Sequence, residues 1–135
     1  GDDAALKVCV MFDHPLDRVP FAQRTVLRIA RSVSGEDLPA ATLCYVWDSV
    51  HPAGLQGPNP YTQRVRFITV QGQGAPLAQW QTESRDVAAD FAKLFADELP
   101  AGATVPKVRA VLIGADSDNT GAESVGWVRG IQWRP

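Results

Sequence analysis

Thr42-Leu-Cys-Tyr-Val-Trp-Asp48 is the stretch on which the fold turns. It is rich in β-branched and aromatic residues and has period two. Leu43, Tyr45 and Trp47 share one face of a strand, and Cys44, Val46 and Asp48 the other. Upstream, Ala5-Leu-Lys-Val-Cys-Val-Met-Phe12 is apolar on both faces after Lys7, as suits a central strand covered on two sides. Between these strands the period changes. From Pro20 to Val33, residues Ala22, Val26, Ile29, Ala30 and Val33 recur at helical spacing, and Arg24, Arg28 and Arg31 share the opposite face. Gly35 supplies a helix stop. The arginine row reads as a solvated helix face ahead of an anion site.

Downstream, residues 49–60 are dense in proline and glycine and read as a surface loop. Gln63–Val70 reads as a strand in which Val65 and Phe67 alternate with Arg64 and Arg66. Gly72-Gln-Gly74 offers a turn, and Leu77–Glu83 a return strand with Ala78 and Trp80 on one side. A second helix is predicted over Asp86–Leu99. Its apolar stripe is Val87, Phe91, Leu94, Phe95 and Leu99, its cap Ser84 or Asp86, and Pro100 and Gly102 close it. Lys107–Ile113 and Val125–Trp133 complete about six strands.

Helices interrupt the strands only twice, whereas a doubly wound sheet wants one after nearly every strand. The pattern therefore predicts a mainly β protein: one domain over residues 1–135, a jelly-roll-like antiparallel β-sandwich with two short inserted helices. Such sandwiches use seven or eight strands, so strands preceding Gly1 are expected to be lacking. Hydrophobic residues make up 45% of the chain, enough for a core. A net charge of -2 argues against a nucleic-acid partner. No stretch nears the ~20 apolar residues of a membrane span. Cys9 and Cys44 sit inside apolar runs and read as buried free thiols ahead of a bridge.

No catalytic motif rises above background. His14 and His51 lie beside prolines, and Glu83 and Asp86 flank Arg85, which invites a salt bridge rather than an acid–base pair. Trp47 and Asp48 at a strand end, with Tyr45, Tyr61, Trp80 and Arg85, suggest an aromatic-walled groove in which a sugar ring stacks and polar groups read its hydroxyls. The competing reading packs the tryptophans in the core. In Asp116-Ser-Asp-Asn-Thr-Gly121, alternate carboxylates could hold a structural Ca²⁺ through Asp116 and Asp118, with Asp3, Asp2 or Glu123 completing the shell. An EF-hand is excluded because Trp127 stands where its bidentate Glu belongs. An Asx-turn accounts for the same residues without metal and is preferred.

Several of these stretches together resemble a bacterial domain-of-unknown-function family numbered 3047. They are Gly1-Asp-Asp with the strand to Phe12, Leu38–Asp48, Asn59-Pro-Tyr61, Glu83-Ser-Arg-Asp-Val87 with Asp90-Phe91, and Asp116–Gly121. The resemblance implies a carbohydrate-binding-module-like jelly roll, a longer N-terminus and a periplasmic or secreted setting, and it brings no activity. The expectation is a non-catalytic binding module that recognises a glycan or another polar ligand. The alternative is an assembly subunit that docks on a protein partner through exposed sheet edges.

Overall fold

The computed structural model describes residues 6–47, 52–59, 62–72 and 82–114. These form one mixed five-stranded sheet with two helices. The strands are β1 (Leu6–Phe12), β2 (Ala41–Trp47), β3 (Gln56–Asn59), β4 (Thr62–Gln71) and β5 (Val108–Gly114), in the order β3-β4-β2-β1-β5. The protein is thus mainly β, with helix α1 (Phe21–Ser34) between β1 and β2 and helix α2 (Val87–Leu94) between β4 and β5.

β1 pairs antiparallel with both β2 and β5, and β3 antiparallel with β4, but β2 and β4 run parallel. The uniformly antiparallel pairing expected from the sequence is corrected here. The chain leaves the end of β2, lays down the short edge strand β3, and only then returns as β4 beside β2. Residues 49–60 are accordingly not all loop. Gln56–Asn59 pairs with β4, and Pro58 is tolerated because β3 is at the sheet's edge among the described residues. Gly54, at φ 87°, makes the turn that precedes it.

The alternation in β2 divides the core between the sheet's two faces. Leu43 packs with Val10, Phe12, Ile68, Phe91 and Phe95, and Tyr45 borders this cluster under α2. Cys44 and Val46 lie on the other face with Cys9, Val65 and Phe67. The β1–β2 register sets Cys9 directly opposite Cys44, and the two form a disulfide. Their burial is as expected. The free thiols are not: a strand pattern gives each cysteine its face, but only the register between strands reveals that they meet.

α1 ends at Gly35 in the left-handed conformation, with its N–H on the Arg31 carbonyl, as the sequence indicated. Its orientation is the reverse of the expected one. Leu27 turns inward onto Val19 and Ala40, while Val26, Ile29 and Val33 face out. Arg24 donates to the carbonyls of Asp17 and Val19, and Arg31 to that of Leu38. The arginine row is therefore not a solvated face, because two of its three members satisfy carbonyls that the chain leaves unpaired on the protein side.

α2 begins where expected, with the Asp86 carboxylate accepting the Ala89 N–H at 3.1 Å. It is shorter than the sequence suggested, giving way to a 3-10 turn at Ala96–Glu98. The Leu77–Glu83 strand lies mostly outside the described residues, and residues 82–86 are irregular. Val125–Trp133 lies wholly outside them.

Candidate functional site

Two carboxylates, Asp90 of α2 and Glu98 of the 3-10 turn after it, face the sheet, one toward each end of the parallel pair β2–β4. Glu98, near the start of both strands, is the more deeply enclosed. The alternation of β4 turns Arg64 and Arg66 onto the α2 face, so the arginines, not Val65 and Phe67, are its most buried side chains at this end. Arg64 donates Nη1 and Nη2 to the two Glu98 oxygens, Arg66 adds Nη2 at 3.0 Å, and His14 Nε2 lies 3.0 Å from Oε1. Arg64 also reaches the Ala40 carbonyl at 3.0 Å, and Arg66 the Leu94 carbonyl and Asp97. The Arg66 guanidinium lies 4.2 Å from the centre of the Phe95 ring.

Side-chain exposure here is 0% for His14 and 1% for Glu98. Burial by itself would raise the Glu98 carboxyl. The hydrogen bonds from Arg64 and His14 and the charges of Arg64 and Arg66 outweigh it and hold the group down at about 2. A carboxylate so enclosed has no open side for a ligand. It ties the turn after α2 to β4 and to the end of β1.

Asp90, toward the other end, is only partly closed. It accepts the Tyr45 hydroxyl at 2.7 Å and the Arg85 guanidinium through Nε at 3.0 Å and Nη2 at 2.9 Å. Arg85 thereby sits over the Tyr45 ring, its carbon 5.6 Å from the ring centre, with its side chain 37% exposed. The salt bridge expected within Glu83–Asp86 is made instead across the turn, to Asp90. Glu83 accepts from the Gln71 side chain, and Gln71 is the β4 partner of Trp47 at the end of β2. Trp47 is half-buried, between the groove and core readings of the sequence. The ends of β2 and β4 and the approach to α2 thus gather Tyr45, Trp47, Gln71, Glu83 and Arg85.

Burial, then the hydrogen bond to Asp90 and its charge, pushes the Tyr45 phenol far above its ordinary range. It is a fixed donor at neutral pH, not a base. Asp90 has both oxygens engaged, and its pairing raises Arg85, which stays cationic. The arrangement holds polar groups in place, and neither the Tyr45 hydroxyl nor the doubly engaged Asp90 carboxylate stands free to take a proton. Chemically it can bind.

Of the sequence candidates, Trp47 and Arg85 are brought to this one end. Asp48, Tyr61 and Trp80 lie outside the described residues, as do the metal candidates Asp116, Asp118 and Asp3. Among the described residues no three His, Cys, Asp or Glu side chains gather to hold a metal ion, and no helix is long and apolar enough to cross a membrane. Sequence reading missed Asp90 and the whole Glu98 network. A carboxylate inside an otherwise apolar helix stripe, Asp90 beside Phe91, was the available signal.

Fold and site together define a small β-rich domain with a mixed sheet, a disulfide between neighbouring strands and a polar cluster at the strand ends. Residues 1–132 match the family described as "Protein of unknown function (DUF3047)", and the chain belongs to that family. No curated protein and no solved structure matches it.

Proposed function

We propose that this domain is a non-catalytic binding module for a hydroxyl-rich polar ligand, a glycan of the bacterial envelope, taken at the ends of β2 and β4. The observation that carries this reading is the anchoring of Tyr45 and Arg85 on one carboxylate beside Trp47. Half-exposed aromatic and guanidinium groups, immobilised before a ligand arrives, lose little freedom on binding. Ligands in sheets with parallel strands are commonly received beyond the carboxyl ends of those strands, where Trp47 and Gln71 lie. The absence of a proton acceptor with an open oxygen at Asp90 favours binding over catalysis.

The Cys9–Cys44 bridge supports a periplasmic or secreted setting, because disulfides form and persist in oxidising compartments. The burial of Cys9, Cys44 and Val46 on the face away from α2 supports the finer architectural reading, a jelly-roll-like sandwich with a second sheet over that face. A second functional reading, docking on a protein through a sheet edge, is favoured by β5, the edge strand among the described residues, whose Val108, Leu112 and Ile113 are exposed.

A glycan array probed with the full-length protein tests the binding module. Hits that weaken at least tenfold in both Trp47→Ala and Arg85→Ala are expected, and an array without hits refutes the reading. Alkylation of the protein as taken from cells tests the setting: both cysteines should resist labelling until a reductant and denaturant are added.

A further inference from the structure

A half-exposed arginine is the common reader of acidic groups, because its planar fork matches a carboxylate. At the ends of β2 and β4, however, Arg85 is already committed. Asp90 takes its Nε at 3.0 Å and its Nη2 at 2.9 Å, a two-point pairing that fills one edge of the guanidinium and offsets its charge. The other edge, formed by Nη1 and the second Nη2 hydrogen, meets no acceptor among the described residues. Arg85 thus offers a ligand hydrogen-bond donors with little net charge behind them.

The surroundings add negative charge. Glu83 is exposed and accepts from Gln71, the partner of Trp47, which stands two residues along the same strand face from Tyr45. Asp86, also exposed, caps α2 with its carboxylate. The Tyr45 phenol stays protonated and carries no charge. Of the lysines on neighbouring elements, Lys7 shares the face of Val46, away from α2, and Lys93 belongs to the last turn of α2. Among the described residues this end therefore sets three carboxylates, Glu83, Asp86 and Asp90, against the single guanidinium of Arg85.

That balance selects among polar ligands. A sugar carboxylate or sulfate would place a second anion on a guanidinium that already holds one, with two more acidic side chains nearby, and like charges so placed repel. An ammonium-bearing sugar answers the negative surroundings but sets a cation against Arg85, whose open hydrogens need acceptors. A neutral sugar meets neither obstacle. Two vicinal hydroxyls present a pair of oxygens to the open edge of Arg85. Hydroxyls also donate, so the same ring can give hydrogens to Glu83.

We propose that this end of the sheet takes an uncharged sugar by a pair of vicinal hydroxyls on Arg85, and that Glu83 and Asp86 exclude acidic sugars from it. The inference rests on the binding-module reading and narrows it from polar ligands at large to neutral ones.

The test offers the full-length protein three matched sets of oligosaccharides: neutral hexose oligomers, the same oligomers oxidised to uronic acids at C6, and the same oligomers with an amine in place of one hydroxyl. Neutral members should bind at least tenfold tighter than uronic ones at low ionic strength, and the gap should shrink as salt is added. Glu83→Gln keeps an acceptor for Gln71, and Asp86→Asn keeps a cap, so each removes a charge and little else. Each should narrow the gap about threefold at an unchanged melting temperature. Arg85→Lys keeps the charge without the two-point edge and should weaken neutral binding at least tenfold. Uronic or amine-bearing members that bind as tightly as neutral ones overturn the inference. So does a gap that neither acidic variant narrows, or an Arg85→Lys variant that binds like the wild type. Each of these outcomes leaves the binding module standing. If none of the three sets binds, the inference falls, and the module falls with it only when the wider glycan array is empty too.

Discussion

Asp90 lies within α2 and Glu98 in the 3-10 turn that follows it, and each accepts arginine, yet their surroundings differ in kind. Glu98 is enclosed, with two guanidinium groups and an imidazole upon it. Asp90 has one guanidinium and one phenol, and its arginine reaches into solvent. The difference shows how a small domain can use one motif for two ends. A carboxylate saturated by buried donors fixes the chain, because removing it strips two buried guanidinium groups of their shared counter-ion. A carboxylate that holds a half-exposed arginine leaves that group's remaining donors to whatever arrives. Under the proposed binding function, the first cluster serves stability and the second recognition, and each can be broken separately.

The largest effect is expected at the closed end. Glu98→Ala leaves Arg64 and Arg66 facing each other without their shared counter-ion, a loss of about 3–5 kcal/mol. That is a large part of a small domain's stability. Urea unfolding monitored by tryptophan fluorescence should show a much lower midpoint, or no folded baseline at all. A loss under about 1 kcal/mol would make the network dispensable and erase the contrast.

Acid probes the same carboxylate without mutation. In the folded chain Glu98 is held at about 2, against 4.5 when free, so between those values the unfolded state binds the extra proton. Its contribution is fully present above about pH 4.5 and is lost as the pH falls toward 2. By linkage, this one group supplies up to about 3 kcal/mol of that decline. Stability measured against pH should fall steeply over this window in the wild type and less steeply in Glu98→Gln. Parallel curves would show that other groups govern acid unfolding.

Much of the scaffold was legible in the residues. The apolar runs at Leu6–Phe12 and Ala41–Trp47 and the capped stripe after Asp86 declare strands and a helix locally, because period and capping are local properties. What escaped are relations between elements. β4 shows a clean alternation, but whether Arg64 and Arg66 or Val65 and Phe67 face α2 is decided by Glu98, more than thirty residues away. A helix pattern like that of α1 likewise defines a stripe without saying which way it points. Here the carbonyls of Val19 and Leu38 draw two arginines inward, and the apolar side is left outside. The disulfide belongs to the same class, being a fact of register. At the candidate site, Trp47 and Arg85 were identified from residue type and position, while the Asp90 that anchors Arg85 was hidden in a core stripe.

A smaller effect sharpens the comparison from the open end. Tyr45→Phe deletes the hydroxyl that donates to Asp90 but keeps the ring that borders the core. Arg85 still engages both Asp90 oxygens, so the carboxylate is not orphaned. The cost should sit near the low end for a hydrogen bond to a charged group, about 1.5 kcal/mol. Urea midpoints of Tyr45→Phe and wild type give the value. A loss as large as that in Glu98→Ala would mean that Asp90 too is a structural centre.

Arg85→Ala should cost the fold least and the function most. The guanidinium makes two well-aligned bonds to Asp90, but with a side chain 37% exposed its ion pair is screened by solvent, and such pairs contribute less than about 1 kcal/mol. Its contact with the Tyr45 ring, at 5.6 Å, adds little, and Asp90 keeps the Tyr45 hydroxyl when Arg85 is gone. The urea midpoint should therefore stay close to that of the wild type, whereas that of Glu98→Ala should fall far below it. Any glycan bound by the wild type should at the same time bind Arg85→Ala at least tenfold more weakly, because the group that was held ready for it is absent. A variant that unfolds early while binding normally would reverse the assignment, making the Arg85–Asp90 pair a clamp and placing recognition elsewhere on the sheet.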